Sequence, residues 1–152
     1  MTLLLRRTRL VIFCSVFQLL IGIGLADTGR ALAELEKVEV LSFGGIGVAG
    51  TMSPGDQLFR QLAAAPDKTA LFHALWEKGN NQAKCYALVG LYWVRDPDAD
   101  RLAQQMILSH ASVTTIRGCI AGTHEQAASF VDFIKSGDYL RYYFPDLVLK
   151  SR

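Results

Sequence analysis

Five residues of this chain carry a thiol or an imidazole beyond its N-terminal segment: Cys85, Cys119, His73, His110 and His124. A thiolate beside an imidazole is the least that nucleophilic thiol catalysis requires. Cys85 lies in KCYALVGLYWVR, the most apolar stretch outside the N-terminus, and burial raises a thiol pKa rather than lowering it. His73 precedes Glu77 by four residues, which reads as a solvated pair on the polar side of a helix. His124 falls in the first turn of an expected helix. No two histidines share a helix face, and neither C-x-x-C, H-x-x-x-H nor G-x-S-x-G spacing occurs. The sequence therefore predicts no metal, no cofactor and no catalytic residue. An even pair of cysteines in an oxidising compartment is most simply a disulfide, Cys85 to Cys119. Closing that loop would stabilise a small domain by roughly 3 to 4 kcal/mol in the chain-entropy model.

A second pattern invites a nucleotide reading. Gly45-Ile46-Gly47-Val48-Ala49-Gly50 fits G-x-G-x-x-G and follows the strand-like run 38–43. In a dinucleotide fold those glycines let the backbone reach a pyrophosphate at the N-terminus of a helix that begins within the loop. Here Thr51, Met52, Ser53 and Pro54 delay the next helix, and no second strand ends in an acid about 20 residues on. The stretch is expected to be an extended, close-packing lead-in over residues 27–52.

The compartment follows from the N-terminus. Arg6, Arg7 and Arg9 precede LVIFCSVFQLLIGIGLA, a basic segment and an apolar run ending in small residues, the pattern of a secretory signal peptide. Cleavage fits after Ala26 or after Ala33, and Ala26 stands at the better distance; an uncleaved anchor would need a run of about 20 apolar residues, which this one barely reaches. Cys14 lies inside the run, with apolar residues continuing past it. The full chain of 152 residues has a formal charge of +2, but its first 26 residues hold three arginines and no acid. The mature part is then close to neutral, with 13 basic and 14 acidic side chains. Nothing in it marks a phosphate-binding surface, so nucleic acid is excluded as a partner, as is a membrane once the signal is removed. About 126 residues suit a single core.

The positioning elements are helices. Ser53 with Pro54 and Asp56 is an N-cap, N1 and first-turn set, followed by a stripe of Leu58, Phe59, Leu62 and Ala63. Next comes a helix with Leu71, Ala74 and Leu75 inward, Phe72 and Trp76 on the flank, and Gly79 at its end. Asn80 and Asn81 lead into the central helix, apolar all round and so expected to be buried on all sides. Gly90 in its middle predicts a close backbone approach. Asp96 and Pro97 start a helix with Ala99, Leu102, Ala103 and Met106 as its stripe. Residues 112–120 (SVTTIRGCI) turn β-branched, either pairing with 38–43 as a minor two-stranded element or crossing the surface as a link. Thr123 to Gln126 fits a capping box ahead of Ala127, Phe130, Val131 and Ile134, with Gly137 closing that helix. The tail is aromatic: Tyr139, Tyr142, Tyr143 and Phe144 cover the open end of the core or present a contact surface to a partner. The fold class is all-α, a bundle of about five short helices over residues 53–152.

The stretch LFHALWEKGNNQAKCYALVGLYWVRDPDADRLAQQMI, residues 71–107, resembles helical-repeat proteins of the HEAT-like kind: an apolar helix, a short polar turn, an A-L-x-G-L core helix, and an Asp-Pro turn into a third. It is a single copy. The resemblance implies a packing or protein-binding scaffold with no catalytic residues to carry over. The sequence thus leads to a secreted or periplasmic binding module, an adaptor, inhibitor or immunity-type protein acting on another exported protein. A cysteine-dependent hydrolase or thiol-redox enzyme is the alternative, and a structural envelope protein the second.

Overall fold

Helix-period and strand-period stretches alternate along the chain and resolve, among the described residues, into seven helices and two short β-hairpins. The computed structural model describes residues 27–118 and 120–143. The expected signal segment, Cys14, Cys119 and Phe144 lie outside the described residues. Residues 27–30 are helical and belong to a unit apart from the one formed by Ala31–Arg152, whose architecture follows.

The segment expected to be an extended lead-in is partly helical. Residues 31–35 of this unit form α1, and Ala31 and Leu35, one turn apart, are buried. After a bend, Leu41, Ser42 and Phe43 run through the interior, and the glycine-rich stretch folds as a hairpin, β1 (Gly45–Ile46) against β2 (Thr51–Met52). Gly47 and Gly50 turn it with φ of 70° and 61°, backbone angles that residues with a side chain adopt only at a cost. The glycines of the G-x-G-x-x-G pattern therefore serve a turn.

Helix α2 (Pro54–Ala64) starts as its sequence predicts: Ser53 Oγ accepts from the Asp56 N–H at 3.1 Å, with Pro54 in the first turn. Phe59, Leu62 and Ala63 are its buried stripe. Helix α3 (Lys68–Lys78) buries Phe72, Leu75 and Trp76, so its inward face is rotated from the expected Leu71, Ala74 and Leu75. The rotation follows from Phe72, whose ring stacks on Phe59 at 5.5 Å and lies over Gly90. Gly79 ends α3 in an extended conformation, and its missing Cβ makes room for Ala83, which a Cβ would approach to 2.5 Å.

Helix α4 (Asn81–Trp93) is the central element, capped by Asn80, whose Oδ1 accepts from the Ala83 N–H at 2.9 Å. Every residue from Cys85 to Leu91 is buried, because α3, α5, α6 and β3 all pack against it. It ends in a Schellman arrangement: Asp96 N–H bonds to the Leu91 carbonyl and Arg95 N–H to that of Tyr92, with Arg95 left-handed at φ 58°. Helix α5 (Ala99–Leu108) begins three residues after Asp96 and buries Ala99, Leu102, Ala103 and Met106, the predicted stripe.

The β-branched run forms a strand, β3 (Ser112–Arg117), and its partner is β4 (Ile120–Gln126), antiparallel, with Ser112 opposite Gln126 and Arg117 opposite Ile120. Thr123 therefore pairs with Thr115, and no capping box forms; Gln126 precedes helix α6 (Ala127–Lys135) with no side-chain cap. The physical reason is the chain reversal that starts at Gly118, whose φ of 56° is the positive angle that tight hairpins require at their first turn position. Residues 38–43 do reach β3, through one parallel bridge: Leu41 N–H donates to the Thr114 carbonyl at 2.8 Å and Ile116 N–H to that of Leu41 at 3.1 Å. Helix α6 buries Ala127, Phe130, Val131 and Ile134 as expected, Gly137 turns the chain at φ 75°, and helix α7 (Asp138–Tyr143) closes the end. The molecule is a small helical bundle with minor antiparallel strands. Among the described residues no helix is long and apolar enough to cross a membrane.

Candidate functional site

Cys85 is enclosed in the core and is a free thiol. The disulfide expected with Cys119 is not seen. Cys119 itself lies outside the described residues, but its neighbour Gly118 is exposed at a hairpin turn, while Cys85 points into the packing of α4. Burial pushes the Cys85 thiol far above its usual range, so it holds its proton at neutral pH and is a poor nucleophile.

The histidines are spread apart. His73 Nε2 lies 3.0 Å from Asp96 Oδ2, so its partner is the turn after α4 and not Glu77 on its own helix. His110 sits in a left-handed turn after α5 at φ 50°, and His124 lies in β4, its backbone paired with Thr114 of β3, rather than opening a helix. His73, Asp96 and Asp98 place their donor atoms within 4.8 Å of one another, a grouping invisible to spacing rules because His73 is 23 residues from Asp96. Several of its donor atoms also take part in hydrogen bonds within the turn. Asp96 Oδ1 accepts from the Asp98 N–H at 2.8 Å, and Arg101 Nε lies 3.1 Å from Asp98 Oδ1. The group locks the α4 to α5 turn onto α3.

The richest polar constellation is one that sequence reasoning missed. The Tyr86 hydroxyl donates to the Ser42 carbonyl at 2.7 Å and accepts from the Ser42 N–H at 2.9 Å; Ser53 Oγ donates to the same carbonyl at 2.7 Å. Asp56, fully buried, accepts from the Gly44 N–H at 2.9 Å on one oxygen and from Arg60 Nε at 2.9 Å on the other. Arg60 in turn donates to the Tyr143 carbonyl at 3.1 Å. This is how the apolar interior satisfies the backbone of 42–44, which has no strand partner along its whole length. Asp56 and Arg60 at i, i+4 after a capping serine were the available signal. The partner of Asp56 is the Gly44 N–H, 12 residues upstream, whose place nothing local announces.

The aromatic tail divides. Tyr139 is 4% exposed and meets Phe43 at 5.2 Å, Phe130 at 5.1 Å and Phe133 at 5.2 Å, each edge to face. Tyr143 is half-buried, 6.1 Å from Phe43 and lying over Gly44. Tyr142 points out at 77% exposure. Tyr139 thus completes a column of rings running through Phe43 and Phe59 to Phe72.

A second outward feature is built by the hairpins. Ile46 bridges Gly118, with the Gly47 N–H donating to the Gly118 carbonyl at 3.0 Å, so the turns of both hairpins stand side by side. Val48 at one tip is 100% exposed and Ile120 at the other 66%. No charged residue occurs in 44–52 or in 118–123. Such a surface suits apolar and main-chain contact. The arrangement defines a small helical bundle carrying a paired-hairpin edge. No protein family, curated protein or solved structure matches this chain.

Proposed function

We propose that the mature chain is an exported, non-catalytic binding module, an adaptor, inhibitor or immunity-type protein that works by non-covalent contact with another exported protein. The observation that carries the reading is the edge where two hairpin turns lie together with Val48 and Ile120 exposed. A surface of that kind gains by covering its apolar side chains and its glycine backbone at once. The HEAT-like resemblance of residues 71–107 supports a scaffold role for the helices behind it. The buried, protonated Cys85 speaks for binding over thiol chemistry.

The test is capture of cross-linked partners from the exported fraction by the wild-type chain and by a Val48→Asp, Ile120→Asp variant of unchanged unfolding midpoint. The reading expects a partner held by the wild type and reduced about tenfold or more by two charges placed in an apolar contact. Capture undiminished in the variant, or no partner at micromolar bait, overturns it. The intact mass of the wild-type chain recovered from the exported fraction checks the compartment, since the reading expects cleavage after Ala26.

A further inference from the structure

We infer that α7 is a hinged strap, latched by Arg60, which seals an aromatic groove at one end of the bundle and opens without unfolding the rest. The inference goes beyond the binding edge proposed above and does not depend on it. Four observations carry it. Helix α7 has six described residues, too few to persist by their own hydrogen bonds, so its contacts keep them in place. It leaves α6 through Gly137, at φ 75°, a joint that takes up backbone rotation at little cost. Its underside enters through two rings one turn apart, Tyr139 and Tyr143, over a floor made by Leu41, Phe43, Ile116 and Phe130, and a hollow of about 10 Å³ remains beneath them, room for one water. At its far end the Tyr143 carbonyl accepts from Arg60, whose Nε is held by the buried Asp56 carboxylate.

The latch has a defined cause. Asp56 is fixed from three sides, by its place in the first turn of α2, by the Gly44 N–H and by Arg60, so the guanidinium is already oriented when α7 arrives. Closing α7 adds one charge-assisted hydrogen bond to a pre-aimed donor. Opening it leaves Arg60 paired with Asp56, so no buried charge is stranded. The floor residues Leu41 and Ile116 stay joined by their own backbone bridge to β3, which gives the open form an intact groove. A short, hinged element resting on a floor that does not need it is the kind that opens locally.

Amide hydrogen exchange on the full mature chain, resolved by peptide, tests this. The strap requires the amides of Arg141 to Tyr143 to exchange about tenfold or more faster than those of α4 in the wild type. Tyr143→Ala, which removes a ring from the rim and leaves the Asp56 and Arg60 pair untouched, is expected to speed exchange in α7 by about a further tenfold with α4 unchanged. Arg60→Met is expected to speed α7 and residues 42–44 together. Exchange of α7 in step with α4 in the wild type overturns the strap, as does a Tyr143→Ala variant in which every segment speeds up equally. An Arg60→Met variant with unaltered α7 exchange overturns the latch.

Discussion

Gly90 sets two residue-scale effects against each other. Alanine is the better helix former by about 1 kcal/mol, so propensity alone predicts that Gly90→Ala stabilises α4. The structure predicts the reverse, because a Cβ at Gly90 would fall 2.6 Å from the ring atoms of Phe72, well inside contact distance. Phe72 has no slack to give, as it is fully buried and stacked on Phe59. Overpacking of this kind costs about 1 to 3 kcal/mol and outweighs the propensity gain. Urea unfolding of Gly90→Ala is expected to show a lower midpoint at unchanged slope, and Phe72→Leu in the same chain to recover part of the loss. A raised midpoint in the single variant would mean that the ring moves freely. Gly90 also shows what the sequence could reveal at this scale. A glycine inside an otherwise apolar helix announces a close approach, but whether backbone or ring does the approaching is decided by a residue 18 positions away, and it proved to be a ring.

Elements whose hydrophobic period is clean were legible from the sequence, and those decided by a partner were not. The stripes of α5 and α6 match residue for residue, since each meets the core along one face with a period of 3.6. The face of α3 was misplaced because Phe72 and Trp76 are large enough to rotate the helix toward the gap at Gly90. The segment before α6 satisfies two local rules at once, a capping box and a strand; β3 supplies a row of unpaired backbone groups that only a strand can satisfy, and the strand wins. Joints between elements carry a testable electrostatic signature. Tyr92 of α4 donates to Asp100 Oδ1 of α5 at 2.8 Å, and Lys135 of α6 lies 3.2 Å from the same oxygen. The Tyr92 hydrogen bond first, then that of Lys135 and its charge, hold the Asp100 carboxyl below its ordinary value of 3.8. A depressed folded pKa gives stability that is complete above the ordinary value and is lost as the pH falls through the folded one. Stability measured between about pH 5 and pH 2 should therefore fall less steeply in Asp100→Asn than in the wild type, and the difference should shrink in high salt because the group is exposed. Identical slopes would mean that the three-helix joint contributes nothing.

At the scale of the whole molecule the described thiol is placed where no reagent reaches it in the folded chain. Helix α4 is enclosed by α3, α5, α6 and β3, and Cys85 lies within that enclosure. A reagent must then wait for the core to open, and the modification rate of Cys85 reports the stability of the bundle as a whole. For a domain of ordinary stability, alkylation at Cys85 is expected to be slower than in the unfolded chain by roughly 10³-fold or more. Peptide mapping keeps Cys119 apart from it in the same experiment. The pH dependence has a definite sign. Burial raises the Cys85 thiol above its ordinary 9.0 and the Tyr86 hydroxyl above its ordinary 10.0, so both hold their protons longer in the folded chain. A raised folded pKa gives stability that is present below the ordinary value and lost as the pH climbs past it, so unfolding should become easier above about pH 9, and labelling should accelerate there by more than thiolate formation alone explains. Should Cys85 react in the native chain at neutral pH as fast as in urea, the enclosed α4 is wrong, and with it the argument that this protein acts by contact rather than by a thiol.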